Sequence, residues 1–233
     1  MNTIFARIRW LYAIGIIFLG MTLMIGTFYF LPKPYSVKFS SWFIRLFIFS
    51  PVRVRGYSDP ETQMFLINHQ SDMDIGVMET ISSHDLAWVA KKELFDVPFF
   101  GLVLRLPKDI ALERESKTSL IGLLKDTKRE LDKGRTITIF PEGTRSESGL
   151  MKPFKAGAKM VADKYSLKVQ PVVLIATATY FSNKKKDFRP GTVTAIFLDP
   201  FVADKKDPEW LKNTQIQMQK VYDDEWANHL RNR

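Results

Sequence analysis

The chain has 233 residues, with 34 Lys and Arg against 25 Asp and Glu, a formal net charge of +9 and no cysteine. This length accommodates one sizeable core with a short appendage. The lack of cysteine excludes disulfides, thiolate metal ligands and a cysteine nucleophile, and with three histidines a multi-histidine metal site is disfavoured. The basic balance favours an anionic partner, such as a membrane surface, nucleic acid or an acidic protein.

The first predicted element is an apolar segment without a charge, residues 10–31. As a helix it is about 33 Å long, enough to cross a bilayer core of about 30 Å, and aromatic residues lie near both ends, as in membrane interfaces. A cleaved signal peptide is the alternative, but the run is longer than a usual signal core and no small-x-small cleavage site follows. We therefore predict an uncleaved membrane anchor, which either spans the bilayer or enters one leaflet in a helical hairpin.

The second predicted element is an amphipathic helix over residues 35–49. Its large apolar residues recur at helical spacing, and Lys38, Ser41 and Arg45 form a narrow polar stripe. This pattern is typical of a helix in the membrane interface, with a helix packed on the folded domain as the alternative. Basic residues are more numerous after the first helix than before it, so the positive-inside rule places the rest of the chain in the cytoplasm, on the inner membrane.

Short apolar runs of strand length alternate with helical stretches in the rest of the chain. Strands are predicted at 64–67, 86–89, 110–112, 136–140, 169–175 and 192–197, and helices at about 75–82, 98–106, 116–132, 155–165 and 208–230. Such alternation predicts an α/β domain with a mixed, largely parallel sheet flanked by helices. We assign residues 1–55 to an N-terminal membrane-associated two-helix motif and residues 56–233 to the α/β domain.

His69 and Asp74 are the first pair that suggests chemistry. In one regular helix their offset corresponds to about 140° around the axis, so they meet only if the chain turns between them. A strand ends just before them, and Ser71-x-x-Asp74 resembles a capping box, which puts His69 on a strand-to-helix loop, where α/β sheets place ligand sites. A carboxylate bonded to an imidazole lets its other nitrogen act as a general base. An ordinary loop histidine beside a helix-capping carboxylate is the alternative.

Two further segments follow predicted strands. Phe140-Pro141-Glu142-Gly143-Thr144-Arg145-Ser146 comes directly after strand 136–140, and its Pro and Gly favour a tight turn. If the strands are parallel, Glu142 and Arg145 lie at the same sheet edge as His69, where an arginine can bind a phosphate. Arg114 follows strand 110–112 and offers another cation. A surface turn with a Glu–Arg pair and a solvated arginine are the alternatives.

Together these segments resemble the glycerolipid (lysophospholipid) acyltransferase family, and within it the members that acylate 1-acyl-sn-glycerol 3-phosphate. Asn68-His69-x4-Asp74 matches the family's first block, Gly101 to Arg114 the second, Phe140 to Ser146 the third and Pro171 the fourth. The second block departs from the pattern at Lys108-Asp109 and at Glu113. Ala90 to Leu94 is similar to the family's lysine-containing segment, in which we favour Lys91 over Lys92 as a phosphate ligand. The resemblance covers roughly residues 56–180.

The resemblance implies transfer of a fatty acyl group from an acyl thioester, acyl-ACP or acyl-CoA, to the sn-2 hydroxyl of lysophosphatidic acid, giving phosphatidic acid. It implies direct transfer, and the sequence has neither a G-x-S-x-G elbow nor a cysteine nucleophile. It assigns catalysis to His69 and Asp74, and substrate binding to Asn68, Lys91, Arg114, Glu142, Gly143, Thr144 and Arg145. No metal or cofactor is implied. The expected partners are membrane lipid and an acyl carrier protein, not nucleic acid.

Three other functions remain open from the sequence. The acceptor could instead be glycerol 3-phosphate or an amino-acid lipid. A lysolipid hydrolase could use Ser71 or Ser146 with His69, although neither serine lies in a known elbow. A membrane-tethered protein could simply bind anionic lipid or nucleic acid. The reaction product separates them: diacyl lipid, free fatty acid, or none.

Overall fold

The computed structural model describes residues 3–48, 51–113, 117–146 and 148–231. The helices are α1 (Thr3–Thr27), α2 (Lys33–Ile48), α3 (Met73–Ile81), α4 (Lys92–Phe95), α5 (Phe100–Arg105), α6 (Lys117–Leu131), α7 (Ala156–Tyr165), α8 (Thr177–Tyr180) and α9 (Trp210–Arg231). The strands are β1 (Val52–Arg55), β2 (Met64–Ile67), β3 (Leu86–Lys91), β4 (Ile110–Leu112), β5 (Thr136–Ile139), β6 (Lys168–Ile175), β7 (Phe181–Ser182), β8 (Asp187–Phe188), β9 (Val193–Phe197) and β10 (Phe201–Val202).

One sheet organises the domain, with strands in the order β1-β9-β6-β2-β5-β3-β4 and β10 paired with β6. Strands β2 to β6 run in the same direction, whereas β9 is antiparallel to β6 and parallel to β1. The central strands β2 and β5 are buried along their whole length. Strand β2 accordingly reads as a continuous apolar run, whereas β5 alternates Thr and Ile. The predicted mixed, largely parallel sheet is confirmed.

Helices cover both faces of this sheet. Alternate side chains of β2 enter two different apolar clusters: Phe65 packs with residues of α3 and α9, whereas Leu66 packs with residues of α6 and α7. This alternation follows from the two-residue period of a strand. Because both faces are buried, loops at the strand ends are the places where polar side chains can meet substrate.

The structure also contains short elements that the sequence analysis missed: β1, α4, α8, the β7–β8 hairpin and β10. Strand β1 alternates Val and Arg over only four residues and exposes most of its side chains, a signal too short to stand out, and it pairs with β9. Since β1 belongs to the main sheet, the α/β domain starts near Val52, ahead of the predicted boundary at residue 56.

Helices α1 and α2 form a tightly packed hairpin. The α1 helix begins and ends earlier than the predicted 10–31, and α2 spans the predicted 35–49 except for Phe49, which lies outside the described residues. Ser40 Oγ donates to the carbonyl of Gly20 at 2.6 Å, and a Cβ on Gly20 would lie 2.2 Å from Ile44 Cγ1. The absence of a side chain at Gly20 therefore lets the two helices approach closely.

Much of the polar stripe of α2 faces protein, whereas the large apolar residues of the helix are exposed. Lys38 Nζ donates to the carbonyl of Ser82 at 3.1 Å, and Ser41 is buried, so these two members of the polar stripe face protein. The large apolar residues are the exposed ones: Tyr35, Phe39, Trp42 and Leu46. Helices α1 and α3 cover that side of α2, and the position of the helix in the membrane interface stays a prediction.

Candidate active site

The candidate site lies at the carboxyl ends of four neighbouring parallel strands. His69 follows β2, Phe140 to Ser146 follow β5, Lys91 ends β3, and Glu113 follows β4. Adjacent strands are about 4.8 Å apart, so β2 and β3, on either side of β5, are about 10 Å apart. A phosphorylated glycerol backbone is small enough to reach groups across this edge.

Asn68 fixes the position at which the chain leaves β2. Its side-chain nitrogen donates to the carbonyl of Leu174 at 2.9 Å, and its Oδ1 accepts from the N–H of Leu174 at 2.7 Å. The side chain is fully buried. Because both of its polar groups are used inside the sheet, Asn68 holds the end of β2 against β6 instead of making the expected substrate contact.

His69 and Asp74 meet across the loop between β2 and α3. Asp74 lies in the first turn of α3, and its Oδ2 is 2.8 Å from His69 Nδ1. The same oxygen accepts the N–H groups of Gln70 at 2.7 Å and Ser71 at 2.9 Å, while the buried Oδ1 has no partner among the described residues. Since this oxygen is an acceptor, Nδ1 carries a proton in the neutral imidazole and Nε2 carries a lone pair.

The expected capping box at Ser71 is only half formed. Asp74 accepts the Ser71 N–H as a capping box requires. The Ser71 hydroxyl, however, donates to the carbonyl of Phe181 at 2.8 Å and accepts from the N–H of Met73 at 3.3 Å. The carboxylate of Asp74 is thereby directed at the His69 loop, and Ser71 ties that loop to the start of β7.

An aromatic stack supports the face of the His69 ring. Phe140, at the end of β5, lies parallel to the imidazole with ring centroids 3.9 Å apart. Trp88 of β3 stacks on Phe140 at 5.3 Å, and its indole N–H donates to Glu79 at 2.7 Å. The His69 side chain is 16% exposed, and among the described residues its hydrogen bond runs through Nδ1, so Nε2 is available to a substrate.

Glu142 joins the two loops and does not form the Glu–Arg pair that was the alternative for this turn. One carboxylate oxygen accepts the N–H of His69 and the other accepts the N–H of Lys152, each at 2.8 Å. Burial raises the pKa of this carboxyl group, against the opposing effect of these two hydrogen bonds. The N–H of Ser146 also donates to the carbonyl of His69 at 2.8 Å. The third block therefore fixes the backbone of the histidine loop.

The cations of the site lie nearer to its rim. Arg145 is exposed and pairs with Asp72, and Lys91 pairs with Glu93 at 3.1 Å. Lys92 pairs at 3.2 Å with Glu113, which follows β4 at the same sheet edge, and the choice of Lys91 as the phosphate ligand stays a prediction. Arg114 lies outside the described residues.

Gly143 and Thr144 form the turn between Glu142 and Arg145. Gly143 adopts a positive φ of 69°, which favours glycine because it has no Cβ. Its N–H donates to the carbonyl of Phe140 at 3.0 Å, which closes the turn. Thr144 is exposed beside it. Among the described residues, no three His, Asp or Glu side chains are placed to hold a metal ion.

Three contributors to the site were not identified from the sequence: the ring of Phe140, the Trp88–Glu79 pair behind it, and Asp72. Phe140 was part of a recognised segment, and its position at the end of the strand beside β2 was the signal that could have suggested contact with His69. Nothing in the local pattern distinguishes Glu79 or Asp72 from ordinary acidic residues of a helix.

Comparison with known proteins identifies the family. A family model described as acyltransferase matches residues 51–175. The chain is 38% identical over 168 residues to a 1-acyl-sn-glycerol-3-phosphate acyltransferase of Helicobacter pylori, covering 72% of this chain and 71% of that protein. It is 30% identical over 172 residues to the human 1-acyl-sn-glycerol-3-phosphate acyltransferase beta, covering 70% of this chain and 62% of the relative.

The fold is also that of a solved structure. The crystal structure of the 1-acyl-sn-glycerophosphate acyltransferase from Thermotoga maritima superposes with a TM-score of 0.80, at 22% identity, over 96% of this chain and 97% of that chain. At this identity the likeness shows the fold alone, whereas the enzyme type is supported by the family match and by the identity to the Helicobacter relative. The chain therefore belongs to the acyltransferase family and is an enzyme of the 1-acyl-sn-glycerol-3-phosphate acyltransferase type.

Proposed function

We propose that the enzyme transfers a fatty acyl group from an acyl thioester to the sn-2 hydroxyl of 1-acyl-glycerol 3-phosphate, with His69 as the general base. The observation that carries this proposal is the His69–Asp74 contact, which leaves Nε2 with a lone pair at the mouth of the site. The names of the relatives support lysophosphatidic acid as the acceptor. The thioester is carried by acyl carrier protein or by coenzyme A.

The chemistry follows from this geometry. His69 Nε2 takes the proton of the acceptor hydroxyl as its oxygen attacks the thioester carbon. The new ester C–O bond forms, the C–S bond breaks, and the thiolate leaves and recovers a proton from the imidazolium. Asp74 stabilises that imidazolium by its negative charge, and the stacked ring of Phe140 holds the orientation of the imidazole ring. Glu142 and Asn68 position the loop without touching substrate.

Arg145 and Lys91 hold the phosphate of the acceptor in this proposal, with Arg114 as a third ligand. Arg145 follows β5 and Lys91 ends β3, on adjacent strands. An arginine presents a planar pair of donors to phosphate and a lysine adds a point charge. The phosphate would thus lie to one side of His69, and the glycerol hydroxyl could reach Nε2.

Hydrolysis by Ser71 or Ser146 is disfavoured by the positions of both hydroxyls. Ser71 Oγ donates to the carbonyl of Phe181, and Ser146 Oγ donates to the carbonyl of Leu150. Each hydroxyl has a single proton to donate, so neither is activated by His69 in this arrangement.

We also propose that the α1–α2 hairpin lies in one leaflet and docks the domain on the cytoplasmic side of the inner membrane. Of the described helices, α1 has the length and composition to cross a bilayer. However, Arg9 Nε near its start donates to the carbonyl of Phe188 at 2.9 Å, and Lys33 just beyond its end donates to Asp85 at 2.9 Å. Since both ends contact the same domain, the helix runs along that domain. Its exposed side chains, such as Phe5 and Phe18, would face lipid.

Cysteine labelling tests this membrane arrangement, because the natural chain has no cysteine. Arg7→Cys lies in the second turn of α1, and Pro32→Cys follows the end of the helix. In vesicles with the domain outside, an impermeant thiol reagent should label both positions if the hairpin stays in one leaflet. Labelling of only one of them would show that α1 crosses the bilayer.

Turnover by the purified chain in mixed micelles tests the reaction. Labelled acyl-CoA and acyl-ACP are each supplied with lysophosphatidate, glycerol 3-phosphate or a neutral lysolipid. We expect labelled phosphatidic acid, made fastest from lysophosphatidate. Free fatty acid as the sole product, or a preference for glycerol 3-phosphate, would contradict the proposal.

His69→Ala tests the assignment of the base. Loss of a general base should lower kcat by about 10²- to 10⁴-fold. The matched control is His84→Asn, since His84 lies ahead of β3 at the opposite end of the sheet and bonds Thr136. Turnover by a folded His69→Ala variant at the rate of this control would rule His69 out as the base.

A further inference from the structure

A chain of polar contacts connects the membrane hairpin to the arginine at the rim of the site. The indole N–H of Trp10, in α1, donates to Asn183 Oδ1 at 3.0 Å. The side-chain nitrogen of Asn183 donates to Asp72 Oδ2. The same oxygen accepts from the guanidinium of Arg145. Asp72 therefore stands between α1 and the cation expected to bind the acceptor's phosphate.

The contacts on the two sides of Asp72 differ in kind. Asn183 is exposed but is also bonded to Trp10, which packs against the apolar cluster that joins α1 to β7 and β8. The Arg145–Asp72 ion pair is open to solvent, with side chains 45% and 42% exposed, and exposed pairs are weak. When an anion arrives, Arg145 can turn toward it while Asp72 stays bonded to Asn183.

We propose that Asp72 is a specificity-determining residue that competes with the acceptor's phosphate for Arg145. In the acceptor-free enzyme the carboxylate occupies the guanidinium, and a bound phosphate must displace it and then lie near its negative charge. Breaking the ion pair costs the same for any acceptor, but the freed carboxylate repels a phosphate monoester, with a second pKa near 6 and therefore about two charges at neutral pH, more strongly than a phosphodiester with one charge. Asp72 thus weakens the binding of lysophosphatidate more than that of diester lysolipids. This inference rests on the proposed role of Arg145.

The test compares Asp72→Asn with the wild-type full-length chain in mixed micelles, using lysophosphatidate and lysophosphatidylglycerol as acceptors. Asparagine keeps the size of the side chain and its contact with Asn183 but removes the charge. An exposed ion pair corresponds to about a two- to fivefold effect, so the KM for lysophosphatidate should fall by about that factor, with a smaller change in kcat. The preference for lysophosphatidate over lysophosphatidylglycerol in kcat/KM should widen.

Further variants show whether the change in KM belongs to Asp72 and acts through Arg145. Arg145→Gln should raise the KM for lysophosphatidate, and Asp72→Asn should have no additional effect in that background. Asp132→Asn removes an exposed carboxylate that pairs with Lys128 on α6 and serves as the matched control without an effect on KM. Thermal unfolding midpoints establish that each variant is folded, and Asp72→Ser provides a second charge-removing variant.

The outcomes separate this inference from the proposed function. A rise in KM with Asp72→Asn would mean that Asp72 orients Arg145 for binding, which overturns the inference. An unchanged KM and preference with Asp72→Asn, together with a raised KM in Arg145→Gln, would overturn it and leave the proposed function standing. An unchanged KM in Arg145→Gln would remove the role of Arg145 from the proposed function itself.

Discussion

Replacement of Asp74 by asparagine isolates the contribution of its negative charge. Asp74 Oδ2 accepts all three N–H groups, from His69, Gln70 and Ser71, and Oδ1 has none among the described residues. In Asp74→Asn the amide oxygen should take the place of Oδ2, and its NH₂ group that of Oδ1. The His69 tautomer would then be retained, and only the charge facing the imidazolium would be lost.

The size of the effect follows from the contact distance. With His69 Nδ1 and Asp74 Oδ2 2.8 Å apart, the charge centres of imidazolium and carboxylate are about 4 Å apart, and at an effective dielectric constant of about 20 their attraction is about 4 kcal/mol. That energy corresponds to about a 10³-fold fall in kcat. The KM for acceptor should change little, because neither residue is proposed to bind the phosphate.

Initial rates with saturating acyl thioester and lysophosphatidate measure this prediction, alongside Asp74→Ala and the control Asp132→Asn. Asp74→Ala should lose catalysis as well, and should also be less stable, since the buried N–H groups of Gln70 and Ser71 lose their acceptor at about 1–3 kcal/mol each. A folded Asp74→Asn enzyme within tenfold of the wild-type kcat would refute the reasoning. Equal unfolding free energies for the Asn and Ala variants would refute the three-donor arrangement.

Two further predictions concern the aromatic stack behind His69. Burial raises the pKa of Glu79 from 4.5 to about 7, so the folded chain holds this proton more tightly than the unfolded chain, and ionisation costs stability as pH rises from 4.5 to 7. Glu79→Gln, which still accepts the Trp88 N–H, should therefore raise the unfolding free energy at pH 8 by about 3 kcal/mol and leave it unchanged at pH 4. Denaturant titrations that show the same increase in unfolding free energy at both pH values would contradict this. Phe140→Leu removes the ring stacked on His69 and should lower kcat by about two- to tenfold while leaving the acceptor KM unchanged. A raised acceptor KM with an unchanged kcat in steady-state kinetics would assign Phe140 to acceptor binding.

Most of the regular elements could be predicted because their signals are local. The central strand β2 is apolar on both faces, β5 and β6 are rich in β-branched residues, and the long helices α6 and α9 show helical periodicity. By contrast, β1, β7 and β8 have only two to four residues each, too few for a clear signal, and β1 is held by pairing with β9, far along the chain. The outward apolar face of α2 was visible in the sequence, but the burial of its polar side was not.

The candidate site divides in a similar way. The sequence placed His69 and Asp74 on a strand-to-helix loop, because their offset excludes a shared helical face and a strand ends just before them. It also placed Phe140 to Ser146 at a strand end, and parallel strands bring such ends to one edge. The functions of Asn68 and Glu142 were not predictable, because their partners Leu174 and Lys152 belong to other segments.

The sequence by itself determined the family, the α/β class, the apolar N-terminal helix and the loop that carries His69. These follow from residue types and spacings within short windows, where the chain's own periodicity decides the local structure. Only the tertiary structure decided that Glu142 holds the His69 backbone, that Phe140 stacks on its ring and that Asp72 occupies Arg145. Those contacts join residues about 70 positions apart, and they arise because β2 and β5 pair side by side in the sheet and present their following loops to each other.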